Sequence, residues 1–456
     1  MITPSLDNCR RAHLIGVGGC SMSGLAQMLA AQGLHVTGSD RETGIFTGQL
    51  EELGIPISIG HAAENVGTPD LVVYSAAIKA DNPERVYARE NRIPEMERSV
   101  LLGQLSERFA HVAAIAGCHG KTTITSMLAH INETAALNAT VHVGGFVELL
   151  GGGVRVGSGD LLITEACEYV QSFLTLSPTI ALINNIDDDH LDCYRDMDHI
   201  VNTFFKFCSL VPPNGLIIGC IDDPKVEKLL SVAARQSLTY GLHRGDYHAE
   251  NIAYDSQGNP SFTLVCKGEE LGRIHLAIPG THNVVNALAA YAVADQLGCD
   301  FAACREALSR FRNTKRRFEF LGERNGVRVF HDYGHHPHEI EAMLEAAARV
   351  PHERLFCVFQ CNSYTRAETL FAHDRVNCFA QADEVLVTDI YPGREVDTGR
   401  IHARDMVSAI NSRTANARYV PTFPQIRSYL DEYARPGDLV LTVGSGDVYR
   451  QSQALL

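Results

Sequence analysis

The chain has 456 residues, a net charge of −15, 45% hydrophobic residues and 20% charged residues. This composition is typical of an ordinary globular protein, and at about 150 residues per domain the length predicts three domains. The negative charge disfavours nucleic-acid binding as the main function, because the phosphate backbone would be repelled.

The lengths of the hydrophobic runs and the spacing of the cysteines indicate the cellular compartment in which the protein is expected. No apolar run approaches the roughly 18 residues needed to span a bilayer, and the first residues, MITPSLDNCRR, lack the apolar segment of a signal peptide. Thirteen cysteines are scattered without a C-x-x-C pair, which favours reduced thiols over disulfides or a zinc site. We therefore expect a cytoplasmic protein without membrane insertion.

The first block, residues 1–108, begins like a Rossmann-like nucleotide-binding domain. The run HLIGV (13–17) predicts a strand, and GVGGCSMSG (16–24) predicts a glycine turn that leads into a helix. The next strand, LHVTGSD, ends at Asp40, where NAD-binding domains place a ribose-binding acid. The turn therefore predicts a diphosphate-binding loop, with NAD as one alternative ligand and a ligand-free turn as the other interpretation.

The second block, residues 109–315, contains a variant phosphate loop. The segment GCHGKTT (117–123) follows the apolar run HVAAIA and precedes a helical pattern, although Ile115 replaces the first glycine of the full motif. Lys121 is suited to the outer phosphates of a nucleotide, and the Thr122 hydroxyl is suited to Mg²⁺. Two anion loops in one chain predict two phosphorylated ligands.

Two further strands of this block are followed by candidate metal ligands. LLITEA ends near Glu165, and TIALINNI runs on to His190. Because parallel strands present their carboxyl ends at one edge of a sheet, Thr122, Glu165 and His190 are expected to converge on one or two magnesium ions. The alternative for His190 is a surface histidine at a helix start.

The third block, residues 316–456, predicts a second Rossmann-like domain from strands such as VRVFHDYG, RLFCVFQ, DEVLVTDIYP and DLVLTVGSG. Its histidine-rich segment has three interpretations: a nucleotide-site segment, a transition-metal site, or solvent-facing loop residues. The residues concerned are His331, Asp332, His335, His336 and His338. Pro337 predicts that a helix begins within this segment.

Cys118 makes the phosphate loop unusual. A thiol beside a helix N-terminus and three residues before Lys121 is expected to have a lowered pKa and to react with alkylating reagents. The alternative is a buried, inert thiol that serves packing alone. The sequence leaves both open, because it does not give the direction of the side chain.

Taken together, the motifs resemble those of the Mur ligases over essentially the whole chain. The segments that carry the resemblance are GVGGCSMSG, GSD, YSAAIKADNP, AGCHGKTT, EACE, NNIDDDHLD, PGTHNVVNALAA, KRRFEFLGE, DYGHHP, FQCNSYTR and DIYPGRE. Within the family, HHP after DYG resembles the alanine-adding members.

The resemblance implies an α/β fold with three domains: an N-terminal Rossmann-like domain that binds a UDP-sugar, a central P-loop ATPase domain, and a C-terminal Rossmann-like domain that receives the amino acid. It implies ATP and Mg²⁺ as cofactors. It implies UDP-N-acetylmuramate and a small amino acid, L-alanine first, as substrates, joined through an acyl phosphate in peptidoglycan precursor synthesis.

The resemblance also implies site residues. For the UDP-sugar they are Gly18, Gly19, Ser21, Met22, Ser23, Asp40 and Ser75. For ATP they are Gly117, Cys118, His119, Gly120, Lys121, Thr122, Thr123, Asn283, Asn286, Arg317 and Asp332. For the metal they are Thr122, Glu165 and His190, and for catalysis Lys121, His190, His335, His336 and Arg366.

Several positions depart from the family pattern. Ser21 stands in place of a glycine, Cys118 in place of a threonine, and Cys361 and Asn362 in place of a proline and a histidine. The last two lie at the amino-acid end, so a Mur-type ligase that acts on a different amino acid or a peptide is the main alternative. A binding module without catalysis and a nicotinamide-dependent oxidoreductase are the others.

Overall fold

The computed structural model describes residues 5–189, 193–371, 374–393 and 395–456. Backbone contacts divide the chain into two compact units. The first unit comprises Met1–His248, Val265–Glu269 and Asn286–Leu308. The second unit comprises Ala249–Leu264, Glu270–Val285 and Ser309–Leu456.

The first unit begins with a five-stranded sheet. Its strands are β1 (Arg11–Ile15), β2 (His35–Asp40), β3 (Ile57–Ile59), β4 (Leu71–Tyr74) and β5 (Glu95–Glu97). The helices between them are α1 (Cys20–Ala31), α2 (Ile45–Glu52), α3 (Pro83–Glu90) and α4 (Arg98–Ser106). The order is β3-β2-β1-β4-β5 and every pairing is parallel. The chain reverses direction across the sheet between β1 and β4, which is where open α/β sheets bind ligands.

A second parallel sheet follows in the same unit. Its strands are β6 (His111–Ala116), β7 (Thr140–Val147), β8 (Gly152–Arg155), β9 (Leu161–Ala166), β10 (Ile180–Ile183), β11 (Leu216–Cys220) and β12 (Gln236–Tyr240). Its helices are α5 (Lys121–Thr134), α6 (Met197–Leu210) and α7 (Pro224–Val232). The order is β12-β11-β10-β6-β9-β7-β8, and only β8 pairs antiparallel within it. Strands β6, β9 and β10 therefore end side by side.

Helix α1 also packs on the second sheet, against β7 and β8. The contact is close because Gly24 has no side chain: a Cβ there would lie 3.1 Å from the His142 ring and 3.2 Å from Val154. The two sheets of the first unit thus share one helix.

Three strands and two helices come next along the chain. They are β13 (Tyr247–Tyr254), β14 (Pro260–Cys266), β15 (Glu269–His275), α8 (Thr281–Gln296) and α9 (Phe301–Arg310). The three strands are neighbours in the order β15-β14-β13.

The second unit contains a six-stranded sheet. Its strands are β16 (Glu319–Arg324), β17 (Val327–Asp332), β18 (Leu355–Phe359), β19 (Glu384–Val387), β20 (Ala417–Tyr419) and β21 (Leu439–Val443). Its helices are α10 (Pro337–Arg349), α11 (Tyr364–Arg366), α12 (Ala403–Asn411), α13 (Phe423–Tyr433) and α14 (Val448–Gln453). The order is β16-β17-β21-β18-β19-β20, parallel except for the β16–β17 hairpin.

Apolar runs explain the central strands of this sheet. Every residue of β18 and β21 is buried, because one hydrophobic cluster covers each face of the sheet. Strands buried on both faces read as continuous apolar segments rather than alternating ones, and the sequence shows this in LFCVF and LVLTV.

The predicted elements agree with the structure in type and order, with small shifts at their ends. The strand predicted at 13–17 lies at Arg11–Ile15, and α10 begins at Pro337 as predicted. No helix of the described residues is long and apolar enough to cross a membrane.

Candidate active site

The phosphate-loop residues lie together where β6 ends and α5 begins. Gly117 and Gly120 have φ angles of 139° and 84°, which side chains other than glycine rarely adopt. A Cβ at Gly120 would lie 2.6 Å from the Asn184 amide nitrogen and 2.7 Å from the Asn286 amide oxygen. Backbone conformation and neighbours therefore both require glycine, and Asn286, a predicted nucleotide residue, lies beside this loop.

Lys121 is held at the centre of the loop. Its Nζ donates to the carbonyl oxygens of Gly117 and Cys118, at 2.5 Å and 3.0 Å, and lies 2.7 Å from Oε2 of Glu168. Burial alone would lower the pKa of Lys121, but the Glu168 carboxylate outweighs burial and holds this pKa above its ordinary value. Lys121 is therefore a stable cation.

Thr122 and Glu165 meet beside this lysine, as the sequence predicted. The Thr122 hydroxyl donates to Oε2 of Glu165 at 3.2 Å, and the backbone N–H of Gly144 donates to Oε1 at 2.7 Å. A hydroxyl and a carboxylate at adjoining strand ends are the hard oxygen donors that Mg²⁺ prefers, so these two residues fit a magnesium site. His190, the third predicted ligand, lies outside the described residues.

The segment after β10 forms the other wall of the loop. Asn185 Oδ1 accepts the backbone N–H of His119 at 2.8 Å, and Asn184 Nδ2 donates to the His119 carbonyl at 2.9 Å. The Tyr240 hydroxyl donates to Asn184 Oδ1 at 2.7 Å, and His119 Nε2 lies 2.9 Å from Asp187 Oδ2. The polar run NNIDDD indicated that polar groups lie near this loop, but it did not show which side chains contact it.

The structure decides between the two interpretations of Cys118. The thiol is buried, accepts the backbone N–H of Asp187 at 3.1 Å and donates to the Asp187 carbonyl at 3.3 Å. Burial, and next the Glu168 carboxylate, raise its pKa well above the ordinary value of a thiol. The reactive-thiolate interpretation is wrong, because desolvation outweighs the nearby Lys121 charge.

The N-terminal glycine loop joins β1 to α1. The backbone N–H of Gly18 donates to Oδ2 of Asp40 at 2.8 Å, so Asp40 orders the loop itself. Met22 and Ser23 are buried, and Ser75 lies at the neighbouring end of β4 beside Gly16. Met22 and Ser23 can therefore meet a ligand only through backbone amides at the start of α1, which suit an anion.

Ser21 is tied to the second sheet. Its hydroxyl lies 3.0 Å from His142 Nε2 and accepts from Arg98 Nη1 at 3.1 Å, while His142 Nδ1 lies 3.1 Å from the Thr164 hydroxyl. Burial, and next the Arg98 charge, lower the pKa of His142 to about 4, so the imidazole is neutral at physiological pH. This chain of contacts connects the glycine loop to the strand that carries Glu165, and no sequence motif indicated it.

A buried carboxylate supports the first sheet beneath this loop. Glu84 of α3 lies 3.2 Å from His13 Nε2, accepts from the Ser39 hydroxyl at 2.5 Å and from Asn65 Nδ2 at 2.8 Å. Burial alone would raise the pKa of Glu84, but these hydrogen bonds outweigh it and lower the pKa to about 2. Glu84 thus holds β1, β2 and α3 together as an anion.

In the second unit, Asp332 ends β17 and faces two backbone donors. It accepts the N–H groups of Phe318 at 2.8 Å and Gly334 at 2.6 Å. Burial raises its pKa to about 6, although the nearby Arg317 charge opposes the shift. Arg317 also pairs with Glu339 at 3.6 Å. Asn283, in the same unit, donates from Nδ2 to the Pro279 carbonyl at 2.7 Å.

The histidines of this unit point their Nδ1 atoms at different partners. His331 Nδ1 lies 3.0 Å from the Thr442 hydroxyl, and His335 Nδ1 lies 3.1 Å from the Tyr333 carbonyl. His336 caps α10, where its Nδ1 accepts the N–H of His338 at 3.4 Å. These three rings therefore have separate Nδ1 partners, and His336 serves as the N-cap of α10.

The segment that departs from the family pattern, FQCNSYTR, is held by hydrogen bonds after β18. Asn362 Nδ2 donates to the Ser445 hydroxyl at 2.8 Å, and Arg366 Nη1 approaches the Asn362 carbonyl at 3.5 Å. The Ser363 hydroxyl accepts the N–H of Arg366 at 3.3 Å. Arg366 and Asn362 therefore belong to one ordered turn after β18.

Family models match three successive segments of the chain. The Mur ligase family catalytic domain matches residues 11–110, the Mur ligase middle domain residues 115–294, and the Mur ligase glutamate ligase domain residues 316–446. These matches confirm the predicted three-domain α/β fold class.

Similar proteins cover the full chain. The UDP-N-acetylmuramate–L-alanine ligase of Alkaliphilus metalliredigens is 43% identical, over 100% of this chain and 99% of that relative. The solved structure of UDP-N-acetylmuramate-alanine ligase MurC from Thermotoga maritima has a TM-score of 0.80 at 29% identity, and a murein peptide ligase from Psychrobacter arcticus has 0.71 at 25%, each over 98% of both chains. The chain therefore belongs to the Mur ligase family.

Proposed function

We propose that the protein is an ATP-dependent ligase that joins L-alanine to the carboxylate of UDP-N-acetylmuramate in peptidoglycan precursor synthesis. The observation that carries the proposal is the phosphate loop, with Lys121 as a stable cation and Thr122 against Glu165, in a chain that matches an L-alanine ligase over its whole length. Because the reaction consumes ATP, we place the enzyme in the cytoplasm.

The proposed reaction has two steps. An oxygen of the muramate carboxylate attacks the γ-phosphorus of ATP, the bond from that phosphorus to the bridging oxygen breaks, and ADP leaves. The amine nitrogen of alanine then attacks the acyl carbon, loses a proton, and inorganic phosphate leaves with the electrons of the broken C–O bond. Activation as an acyl phosphate is required, because a free carboxylate is a poor acyl donor.

The first unit supplies charge and orientation for the first step. Lys121 neutralises charge on the transferred phosphoryl group, where a preorganised cation has its largest effect. Thr122 and Glu165, with His190, are the proposed ligands of Mg²⁺, which when bound stabilises the phosphate oxygens. Asn286 and the backbone amides of the loop orient the nucleotide.

The N-terminal glycine loop is the proposed site of the UDP diphosphate. Gly18 and Gly19 precede α1, Ser21 lies in its first turn, and the helix N-terminus attracts an anion. Asp40 orders this loop through the Gly18 N–H. We propose residues 1–108 as the UDP-sugar domain, and residues 109–315 as the ATP domain.

Residues of the second unit serve the amino-acid end in this proposal. Residues 316–456 form the domain that receives the amino acid. The nucleotide residues proposed in this unit are Asn283, Arg317 and Asp332, and those proposed for the reacting groups are His335, His336 and Arg366.

The proposal is tested by measuring phosphate release from Mg-ATP with UDP-N-acetylmuramate and a panel of amino acids. Release is expected only when all substrates are present, fastest with alanine and slower with serine or glycine. Mass spectrometry of the product should show the sugar nucleotide joined to alanine with loss of water. Phosphate release that does not depend on the sugar nucleotide would contradict the proposal. The absence of phosphate release with every amino compound tested would contradict it as well.

A second candidate is a ligase of the same mechanism that adds a short peptide. Cys361 and Asn362 favour it, because they alter the turn at the amino-acid end, and the structural similarity to a murein peptide ligase agrees. Faster phosphate release with a peptide that begins with L-alanine than with alanine itself would establish this candidate.

Asn362→His tests whether this residue sets amino-acid preference. We expect the variant to change the KM for the amino acid more than the KM for ATP. Ser445→Ala is the matched control, since it removes the partner of Asn362 without changing residue 362. If Ser445→Ala reproduces the whole effect, Asn362 acts only by bracing the turn.

A further inference from the structure

Lys121 has no hydrogen-bond donor left for a phosphate in this conformation. An ammonium group carries three N–H bonds. They are directed at the carbonyls of Gly117 and Cys118 and at Oε2 of Glu168, with Nζ to oxygen distances of 2.5, 3.0 and 2.7 Å. The Glu168 carboxylate of the same chain therefore already occupies the position at Lys121 where a phosphate would bind.

Glu168 is buried at this position, with 1% of its surface exposed. It follows β9 by two residues, and the Tyr194 hydroxyl donates to its backbone carbonyl. A carboxylate at such depth requires a cation, because desolvation of an unpaired charge is severely destabilising. Lys121, which is only partly exposed, provides that cation, so the two charges stabilise each other.

The backbone that follows Glu168 is strained. Val170 has φ 47° and ψ 31°, and Gln171 has φ 57° and ψ 25°, so two consecutive residues occupy the left-handed region. A β-branched valine is an outlier there, since its Cβ substituents crowd the backbone. The N–H of Gln171 donates to the Glu168 carbonyl at 2.8 Å, so the strained turn and the ion pair form one local structure.

We propose that Glu168 is a positioning residue that occupies Lys121 in the absence of nucleotide and is displaced when the outer phosphates of ATP take its place. The inference rests on the proposed function, because it requires ATP in this loop. The exchange replaces one anion by another at Lys121, so the lysine is neutralised in both states. Departure of Glu168 also frees the turn at Val170 and Gln171 to relax.

Glu168 thereby sets the affinity of the loop for phosphate. Any ATP that binds must first compete with a carboxylate that is covalently part of the same chain. Without this competitor, ATP and its products would bind more tightly and leave more slowly. Glu168 therefore limits product retention after phosphoryl transfer.

The test compares wild type and Glu168→Gln by isothermal titration with Mg-ATP, inorganic tripolyphosphate and AMP. The amide keeps the shape of the side chain and removes its charge. We expect roughly tenfold tighter binding of ATP and tripolyphosphate. AMP, which lacks the outer phosphates, should bind equally well to both proteins. Glu107→Gln is the matched control, since it removes one carboxylate from the exposed end of α4.

Steady-state kinetics provide a second readout. Glu168→Gln should lower the KM for ATP and lower kcat, because the products leave more slowly, whereas a purely structural role would not separate the two constants in this way. Glu168→Asp keeps the charge but draws it away from Lys121, and it should show a smaller change in the same direction. This variant serves if Glu168→Gln folds poorly.

The outcomes separate the inference from the proposed function. If wild type binds no ATP, the proposed function fails and the inference fails with it. If wild type binds ATP but both Glu168 variants bind it equally or more weakly, the inference alone is overturned. Tighter binding of AMP as well would also overturn it, since that effect would not act through Lys121.

Discussion

Two glycine loops of the first unit have the same backbone arrangement but different charged neighbours. Each joins the end of a parallel strand to the start of a helix, whose N-cap is Gly19 in one case and Gly120 in the other. The N-terminal loop, residues 16–24, contains no lysine or arginine. Its Ser21 hydroxyl instead accepts a hydrogen bond from Arg98 at the start of α4. The phosphate loop contains Lys121, which is already paired with Glu168.

The difference corresponds to the proposed tasks of the two loops. A diphosphate that is only bound needs backbone amides and a modest positive field, which a helix N-terminus supplies. A phosphoryl group that is transferred needs a cation whose effect is strongest in the transition state. A cation of that strength needs a counter-ion when the substrate is absent. Binding and bond cleavage thus require different charge arrangements on the same backbone motif.

Removal of the cation should have the largest effect. Lys121→Met is expected to reduce ligation by roughly 10²–10³-fold, the loss typical of one transition-state electrostatic contact. The variant should also lose about 3–5 kcal/mol of stability, because Glu168 is left buried without its cation. Urea denaturation and phosphate release measure the two effects.

The double variant Lys121→Met with Glu168→Gln separates stability from activity. It should regain most of the stability and none of the activity, since it removes both charges. Recovery of activity in the double variant would show that Lys121 acts only by stabilising the fold.

Glu165→Gln should raise the Mg²⁺ concentration that gives half-maximal activity by roughly 10–100-fold. The amide retains the hydrogen bond with the Thr122 hydroxyl but loses the negative charge that attracts the ion. A Mg²⁺ titration of activity measures the change, with Glu107→Gln as the control. An unchanged titration curve would place the metal elsewhere.

The stability of the first sheet, which carries the N-terminal loop, should depend on pH through Glu84. Its folded pKa, about 2, lies below the ordinary value of 4.5, so its stabilising effect is complete above the ordinary value and is lost as pH falls through the interval between the two. The stability difference between wild type and Glu84→Gln should therefore narrow by about 2 kcal/mol from about pH 6 to about pH 3. Urea denaturation at both pH values measures it, and a constant difference would mean that Glu84 is not held as an anion.

Ser21→Gly should have the smallest effect, a loss of about 1 kcal/mol in unfolding free energy. The substitution leaves Nε2 of the buried His142 without its hydroxyl partner. Combining it with His142→Val should restore stability, because both polar partners are then removed. The double-variant cycle isolates this contact from the bond that Arg98 makes to the same hydroxyl.

The sequence predicted what depends on local pattern. The phosphate loop, its strand and its helix are contiguous, so the order of residue types specifies them. Glu165 lies against Thr122, as expected for residues at the common edge where neighbouring parallel strands end. Whether a segment forms a helix or a strand also depends on local pattern, and the observed ends of strands differ from the predicted ends by only a few residues.

Contacts between distant residues could not be predicted in this way. Glu168 meets Lys121 across 47 positions and His142 meets Ser21 across 121 positions, so both depend on how helices and sheets pack. The state of Cys118 depended on side-chain direction, which no sequence pattern gives. Proximity to Lys121 suggested a thiolate, whereas the depth of burial determines the outcome.

The contact of α1 with β7 has a mechanical consequence. At Gly24 the helix lies directly against the His142 ring of β7 and Val154 of β8. Any shift of α1 would therefore press directly on β7 and β8. Strand β7 is hydrogen-bonded to β9, which carries Glu165. A methyl group at position 24 would act as a wedge in this path, forcing α1 away from the His142 ring and Val154 of the second sheet.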